Sequence, residues 1–122
     1  MKILVADDSR AMRMIVIRQL RHAGLDDAEF LQAENGFDAL ELVRREQPDL
    51  ILSDWNMPEM NGLEFLQALR SEGSDTPFGF VTSEGTPDMI RMARSAGATF
   101  LIAKPFTPEG FRETLEGAGV FA

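Results

Sequence analysis

The chain has 122 residues, no cysteine, one histidine and a formal charge of -8. Its length suits a single domain, 1–122, with a real core, and the missing cysteines exclude a disulfide framework or a thiolate zinc site. The acidic balance argues against a nucleic-acid partner, and Asp7-Asp8 cuts the N-terminal apolar run too short for a signal peptide or a membrane span, so a soluble cytoplasmic protein is expected.

Ile3 to Ala6 reads as a buried strand. Ser9 caps a helix that runs to about Ala23 and stops at Gly24, with Met12, Ile15, Val16, Leu20 and Ala23 on its inner stripe. The four arginines of this helix, Arg10, Arg13, Arg18 and Arg21, read as a solvated face, and His22 as a cation at the helix end rather than a phosphodonor. Glu29 to Ala33 is a second strand. Asn35 caps a second helix with Ala39, Leu40, Val43 and, at the margin, Leu42 facing inward, closed by Pro48.

Leu50 to Ser53 is a third strand, ending in Asp54 and a loop of turn residues. Asn61 with Glu64 approximates a capping box for a helix from Gly62 to about Ser71, with Leu63, Leu66 and Leu69 at helical spacing. Phe78 to Thr82 is a fourth strand with a weak point at Gly79. Thr86-Pro87 opens a helix ending near Gly97, Phe100 to Ala103 is a fifth strand, and Thr107-Pro108 opens a last helix with Phe111, Leu115 and Ala118 inward. Apolar strands alternating with amphipathic helices predict an α/β domain, a doubly wound parallel sheet covered on both faces.

In such a sheet the carboxyl ends of all strands share one edge, so Asp7-Asp8, Asp54, Thr82-Ser83 and Lys104-Pro105 converge there. Three carboxylates in one cleft repel unless a cation holds them, and hard oxygen ligands point to Mg²⁺ or a similar ion. Lys104 adds a compensating charge and Thr82 a hydroxyl donor. Together these groups meet the needs of phosphoryl transfer to the carboxylate of Asp54, a chemistry of positioning and charge neutralisation.

These residues, with Asp54-Trp55-Asn56-Met57-Pro58, Asn61-Gly62, Val81-Thr82-Ser83-Glu84 and Lys104-Pro105-Phe106, resemble the response-regulator receiver domains of two-component signalling, and among them the stand-alone chemotaxis type. The resemblance implies a flavodoxin-like sheet of order 2-1-3-4-5 with five helices. It further implies that Asp54 is the phosphoacceptor for a sensor histidine kinase, CheA-like in the chemotaxis branch. Asp8, Asp54 and the Asn56 carbonyl would ligate Mg²⁺, Asp7 would act through water, Lys104 and Thr82 would contact the phosphoryl group, and Lys104-Pro105 would be cis. A downstream protein target would bind the face of the fourth helix, fifth strand and fifth helix. Asn56 and Glu84 would flank the path of a hydrolysing water. Leu101 stands where the family usually carries a switch Tyr or Phe, and strand alternation turns Phe100 the other way.

Two other readings remain at this point: a stand-alone receiver outside chemotaxis or a phosphate sink, and an aspartyl-phosphate hydrolase of the haloacid-dehalogenase kind. The hydrolases normally carry an Asp as general acid where this chain has Asn56. A flavodoxin-like FMN carrier is disfavoured because Asp7-Asp8 would repel a phosphate after the first strand.

Overall fold

A computed structural model describes residues 1–121. Five strands, β1 (Lys2–Ala6), β2 (Glu29–Ala33), β3 (Leu50–Ser53), β4 (Phe78–Thr82) and β5 (Phe100–Ala103), alternate with five helices. The helices are α1 (Arg10–Leu20), α2 (Gly36–Glu46), α3 (Gly62–Ser71), α4 (Pro87–Ser95) and α5 (Pro108–Gly117). All strand pairs are parallel, and the order across the sheet is β2-β1-β3-β4-β5, the expected flavodoxin-like, doubly wound arrangement.

Each helix starts where a side chain can take up an orphan backbone donor. Ser9, Asn35, Asn61, Thr86 and Thr107 all accept from a backbone N–H three residues on, and Asn61 with Glu64 forms the reciprocal capping box. Proline follows the threonine cap in both α4 and α5. Gln47, in the left-handed region at φ 49, turns the chain before Pro48.

Alternation along the strands divides the interior into two cores. On one face Leu4, Ile51, Phe78 and Phe80 meet Ala39, Leu40 and Val43 of α2 and Phe65, Leu66 and Leu69 of α3. On the other face Ile3, Val5, Leu50, Leu52, Val81 and Ile102 meet Val16, Ile17 and Leu20 of α1 and Phe111 and Leu115 of α5. Leu42, Leu63 and Ala98 are partly buried against the first core.

The inner stripe of α1 differs from the expectation. Val16, Leu20 and Ala23 are buried as expected, but Ile15 is 42% exposed and Ile17, at 5%, takes the inner place. The stripe centres between Val16 and Leu20, and Ile17 lies closer to that line on a helical wheel than Ile15 does. The α-helix passes at Leu20 without a break into one π turn (Arg21–Leu25), and Gly24, at φ 110, leaves the helical region at the position expected for the stop. Phe65 is a fully buried member of α3 that the leucine repeat did not single out. In α5, Ala118 is only partly buried.

Gly79 belongs in β4 for a packing reason. A Cβ at this position would run into the ring of Phe100 on the neighbouring strand, where Gly79 and Phe100 are register partners. The missing side chain makes room for that ring against the α1/α5 core. Gly79→Ala is expected to destabilise the fold by about 1–3 kcal/mol through overpacking. Adding Phe100→Leu should return part of the loss in urea denaturation, and an additive double mutant would contradict the contact.

Candidate functional site at the carboxyl edge of the sheet

Each functional side chain hangs from a backbone that the sheet fixes. The Asp54 N–H donates to the Ala6 carbonyl at 2.8 Å, continuing the β1–β3 ladder past the end of the strand. On the far side the Lys104 N–H donates to the Thr82 carbonyl at 2.8 Å, extending β5 along β4 in the same way. Lys104-Pro105 is a cis peptide.

The loop after Asp54 is closely held. Gly62 donates to the Trp55 carbonyl at 2.8 Å, and Gly36, opening α2, donates to the Met60 carbonyl at 3.0 Å. A Cβ on Gly62 would meet the Asp54 carbonyl oxygen, and one on Gly36 the Met60 carbonyl, so both close approaches require glycine. Behind the loop the Trp55 ring packs on Phe80 at 4.7 Å between centroids, and Phe80 on Phe78 at 5.1 Å. The acid is therefore anchored to the core through its neighbour.

Asp7, Asp8 and Asp54 each offer a carboxylate oxygen, and these oxygens lie within 4.8 Å of one another. Asp7 is buried, Asp54 half-buried and Asp8 exposed, which gives the cluster a closed side and an open mouth. Asp7 Oδ1 accepts the Ser9 N–H at 2.9 Å and Asp54 Oδ1 the Trp55 N–H at 2.7 Å. Lys104 Nζ stands 3.5 Å from Asp7 Oδ2 and 3.8 Å from Asp54 Oδ2. One ammonium thus bridges the two inner acids, as the sequence anticipates. Thr82 is fully buried, and its hydroxyl accepts the Glu84 N–H at 3.2 Å, an arrangement that leaves the O–H itself able to donate.

Burial pushes the carboxyl of Asp7 above its usual range, against the pull of the Ser9 N–H and of Lys104. Asp54 is also pushed up, by burial first, with Lys104 opposing and the charge of Asp7 adding to the rise. Both acids therefore hold their negative charge at a cost that a single lysine leaves unmet. Hard oxygen donors with one open side fit Mg²⁺, an ion that keeps several waters and takes few carboxylates.

Asn56 and Glu84 are exposed on the loops after β3 and β4. Leu101 is half-buried on the aromatic-core side of β5, with its Cδ2 close to Gly85 of the β4–α4 connection. Phe100 packs on the opposite core, as alternation requires. His22 is exposed in the π turn, on the α1 side of the molecule.

Sequence reasoning missed the backbone donors of Ser9 and Trp55, which no side-chain identity signals. It also placed Arg13 on a solvated face. Arg13 is instead half-buried, and its guanidinium donates to the Asp7 carbonyl at 2.7 Å and to Gln32 Oε1 at 3.0 Å. A hint lay in its spacing, one helical turn beyond Ser9, which brings it back over the end of β1.

The response regulator receiver domain model matches residues 3–116. A chemotaxis protein CheY homolog of Campylobacter jejuni is 44% identical over 119 residues, 95% of this chain and 90% of its own length. Chemotaxis protein CheY1 of Helicobacter pylori is 40% identical over 119 residues, 95% of this chain and 94% of its own. Among solved structures, the chemotaxis protein CheY4 of Vibrio cholerae aligns with a TM-score of 0.84 at 36% identity, covering 96% of this chain and 97% of that one. The acid cluster, its lysine and the 2-1-3-4-5 sheet thus sit in a chain that belongs to the response regulator receiver domain family, the phosphorylation-activated switches of two-component signalling.

Proposed function

We propose that Asp54 accepts a phosphoryl group from the phosphohistidine of a CheA-like sensor kinase. The observation that carries this reading is the split engagement of its carboxylate. Oδ1 is held by the Trp55 N–H, while Oδ2 faces Lys104 at the open side of the acid cluster. Asp54 Oδ2 forms the new P–O bond as the P–N bond to histidine breaks, and the imidazole leaves with the bonding pair. Lys104 meets one phosphoryl oxygen, and the Thr82 O–H donates to another. Asp8, Asp54 and the Asn56 carbonyl would hold Mg²⁺, and Asp7 would act through water. The ion supplies charge neutralisation at the phosphoryl oxygens when bound.

Loss of the signal is hydrolysis of the acyl phosphate, with the water approaching between Asn56 and Glu84. The output is a population shift. Drawing Thr82 toward the phosphoryl group pulls on the β4–α4 connection, and Leu101, next to Gly85, repacks with it to alter the face of α4, β5 and α5 where a protein target binds. Among the described residues no helix is long and apolar enough to cross a membrane, and we assign the protein to the cytoplasm, where its kinase and target would meet it.

The raised carboxyls of Asp7 and Asp54 have a linked cost. An acid whose folded pKa lies above its unfolded value destabilises the fold once pH exceeds the folded pKa. The cost vanishes as pH falls through that value toward the unfolded one.

Three outcomes test this reading. Asp54→Asn should abolish labelling by a phosphorylated kinase or a small phosphodonor while Mg²⁺ still quenches or enhances Trp55 fluorescence; labelling of that variant would sink the assignment. The same variant should be more stable than the parent at pH 7 without metal, by about 1 kcal/mol or roughly 4 °C in Tm. That gain should shrink on acidification, and saturating Mg²⁺ should reverse the order. Methyl NMR should show the Leu101 resonances shifting when a phosphoryl mimic binds, whereas unmoved Leu101 methyls would reject its part in the switch.

A further inference from the structure

Of the arginines on α1, Arg13 alone reaches the acid cluster's backbone, and the function proposed above gives it no task. Its Nη1 donates to the carbonyl oxygen of Asp7 at 2.7 Å, and its Nε donates to Gln32 Oε1 on β2 at 3.0 Å. That carbonyl belongs to the peptide unit joining Asp7 to Asp8. We propose that Arg13 is a positioning residue for the cation site, fixing the Asp7–Asp8 peptide so that the two acids present their oxygens at the narrow geometry Mg²⁺ requires. The inference rests on the reading of this cluster as a Mg²⁺ site.

The constraints on this peptide show why a guanidinium is needed. The Asp7 N–H continues the ladder to the Ala33 carbonyl at 3.0 Å, and its carboxylate takes the Ser9 N–H at 2.9 Å. These bonds fix Asp7. Asp8 is exposed, and the direction in which its side chain leaves the backbone depends on the plane of the peptide before it. Rotation of that plane would swing the Asp8 carboxylate out of the cluster. A charge-assisted bond to the peptide oxygen opposes the rotation, and the planar fork of Arg13 is held in its own orientation by Gln32. The Arg13 N–H donates to the Ser9 carbonyl at 3.0 Å, so the residue that places the guanidinium is tied to the same turn that caps α1 and holds Asp7.

Arg13 also brings a positive charge near a site for a dication, and charge and geometry act in opposite directions. Both of its bonds go to neutral acceptors, a carbonyl and an amide, so no carboxylate oxygen is taken from the ion. Removing the arginine relieves repulsion for any divalent ion alike. Loosening the Asp7–Asp8 peptide instead harms an ion that demands near-ideal octahedral ligands, and matters less to Ca²⁺, which accepts variable geometry. The two effects separate in the ratio of the two affinities.

Trp55 fluorescence titrations with Mg²⁺ and with Ca²⁺ on the full chain, Arg13→Lys, Arg13→Ala and Gln32→Leu test the proposal. Arg13→Lys, which keeps the charge and loses the fork, should weaken Mg²⁺ binding by about 10-fold, the usual effect of removing a partner that orients a ligand. Ca²⁺ binding should change by about 2-fold or less, so that the Mg²⁺/Ca²⁺ affinity ratio falls. Gln32→Leu should shift the ratio in the same direction by a smaller factor, which covers the case of an Arg13 variant that does not fold. An unchanged ratio in the folded variants, or equal changes for both ions, would overturn the positioning role while leaving the Mg²⁺ site intact. A parent protein that binds no Mg²⁺ would overturn the site itself and this inference with it.

Discussion

The rest of the structure depends on two carboxylates kept out of water beside a single ammonium. Asp7 and Asp54 are both raised by burial, and Lys104, 3.5 and 3.8 Å away, answers one charge where two are present. Such a site stores an electrostatic demand that a divalent ion or a proton can satisfy. Phosphorylation at Asp54, as proposed, would change the demand again by adding charge to the same cluster, and the surrounding donors would have to follow. The sheet edge, the glycine contacts of the Asp54 loop and the caps of α1 and α3 all hold this imbalance in place against its own repulsion.

Holding it requires backbone precision more than side-chain bulk. Gly62 lies too close to the Asp54 carbonyl for any Cβ, Gly36 too close to that of Met60, and the Trp55–Phe80–Phe78 stack ties the loop to the first core. Asp7 is held by the Ala33 carbonyl and the Ser9 N–H, and the carbonyl of the Asp7–Asp8 peptide by Arg13. A phosphoacceptor gains from this rigidity because phosphoryl transfer draws on positioning and charge far more than on covalent chemistry by the protein.

Much of this was legible in the chain. The strands β2, β3, β4 and β5 were readable to their last residues because each run meets a polar or turn residue abruptly, and the carboxyl-edge rule then gathers Asp7, Asp8, Asp54 and Lys104 from three distant segments. What escaped depends on direction rather than on residue type. Ile15 and Ile17 are equally apolar and differ only in angle about α1; Gly79 looks like a defect in a strand until Phe100 is seen lying across it. Arg13 reads as solvated because a single sequence does not show that the Asp7 carbonyl lies within its reach. The same limit governs Leu101: alternation gives its face, but its nearness to the Gly85 loop comes only from the folded chain.

If the proposed chemistry holds, the phosphoryl group resides on Asp54 and on no other acid of the cluster. Treating the protein with acetyl phosphate and Mg²⁺, trapping the acyl phosphate by borohydride reduction and mapping the peptides by mass locates it directly. Conversion of Asp54 to homoserine, dependent on Mg²⁺ and with Asp7 and Asp8 unmodified, is the predicted result. Conversion at Asp7 or Asp8, or none at Asp54 under conditions where Mg²⁺ binds, would contradict the account.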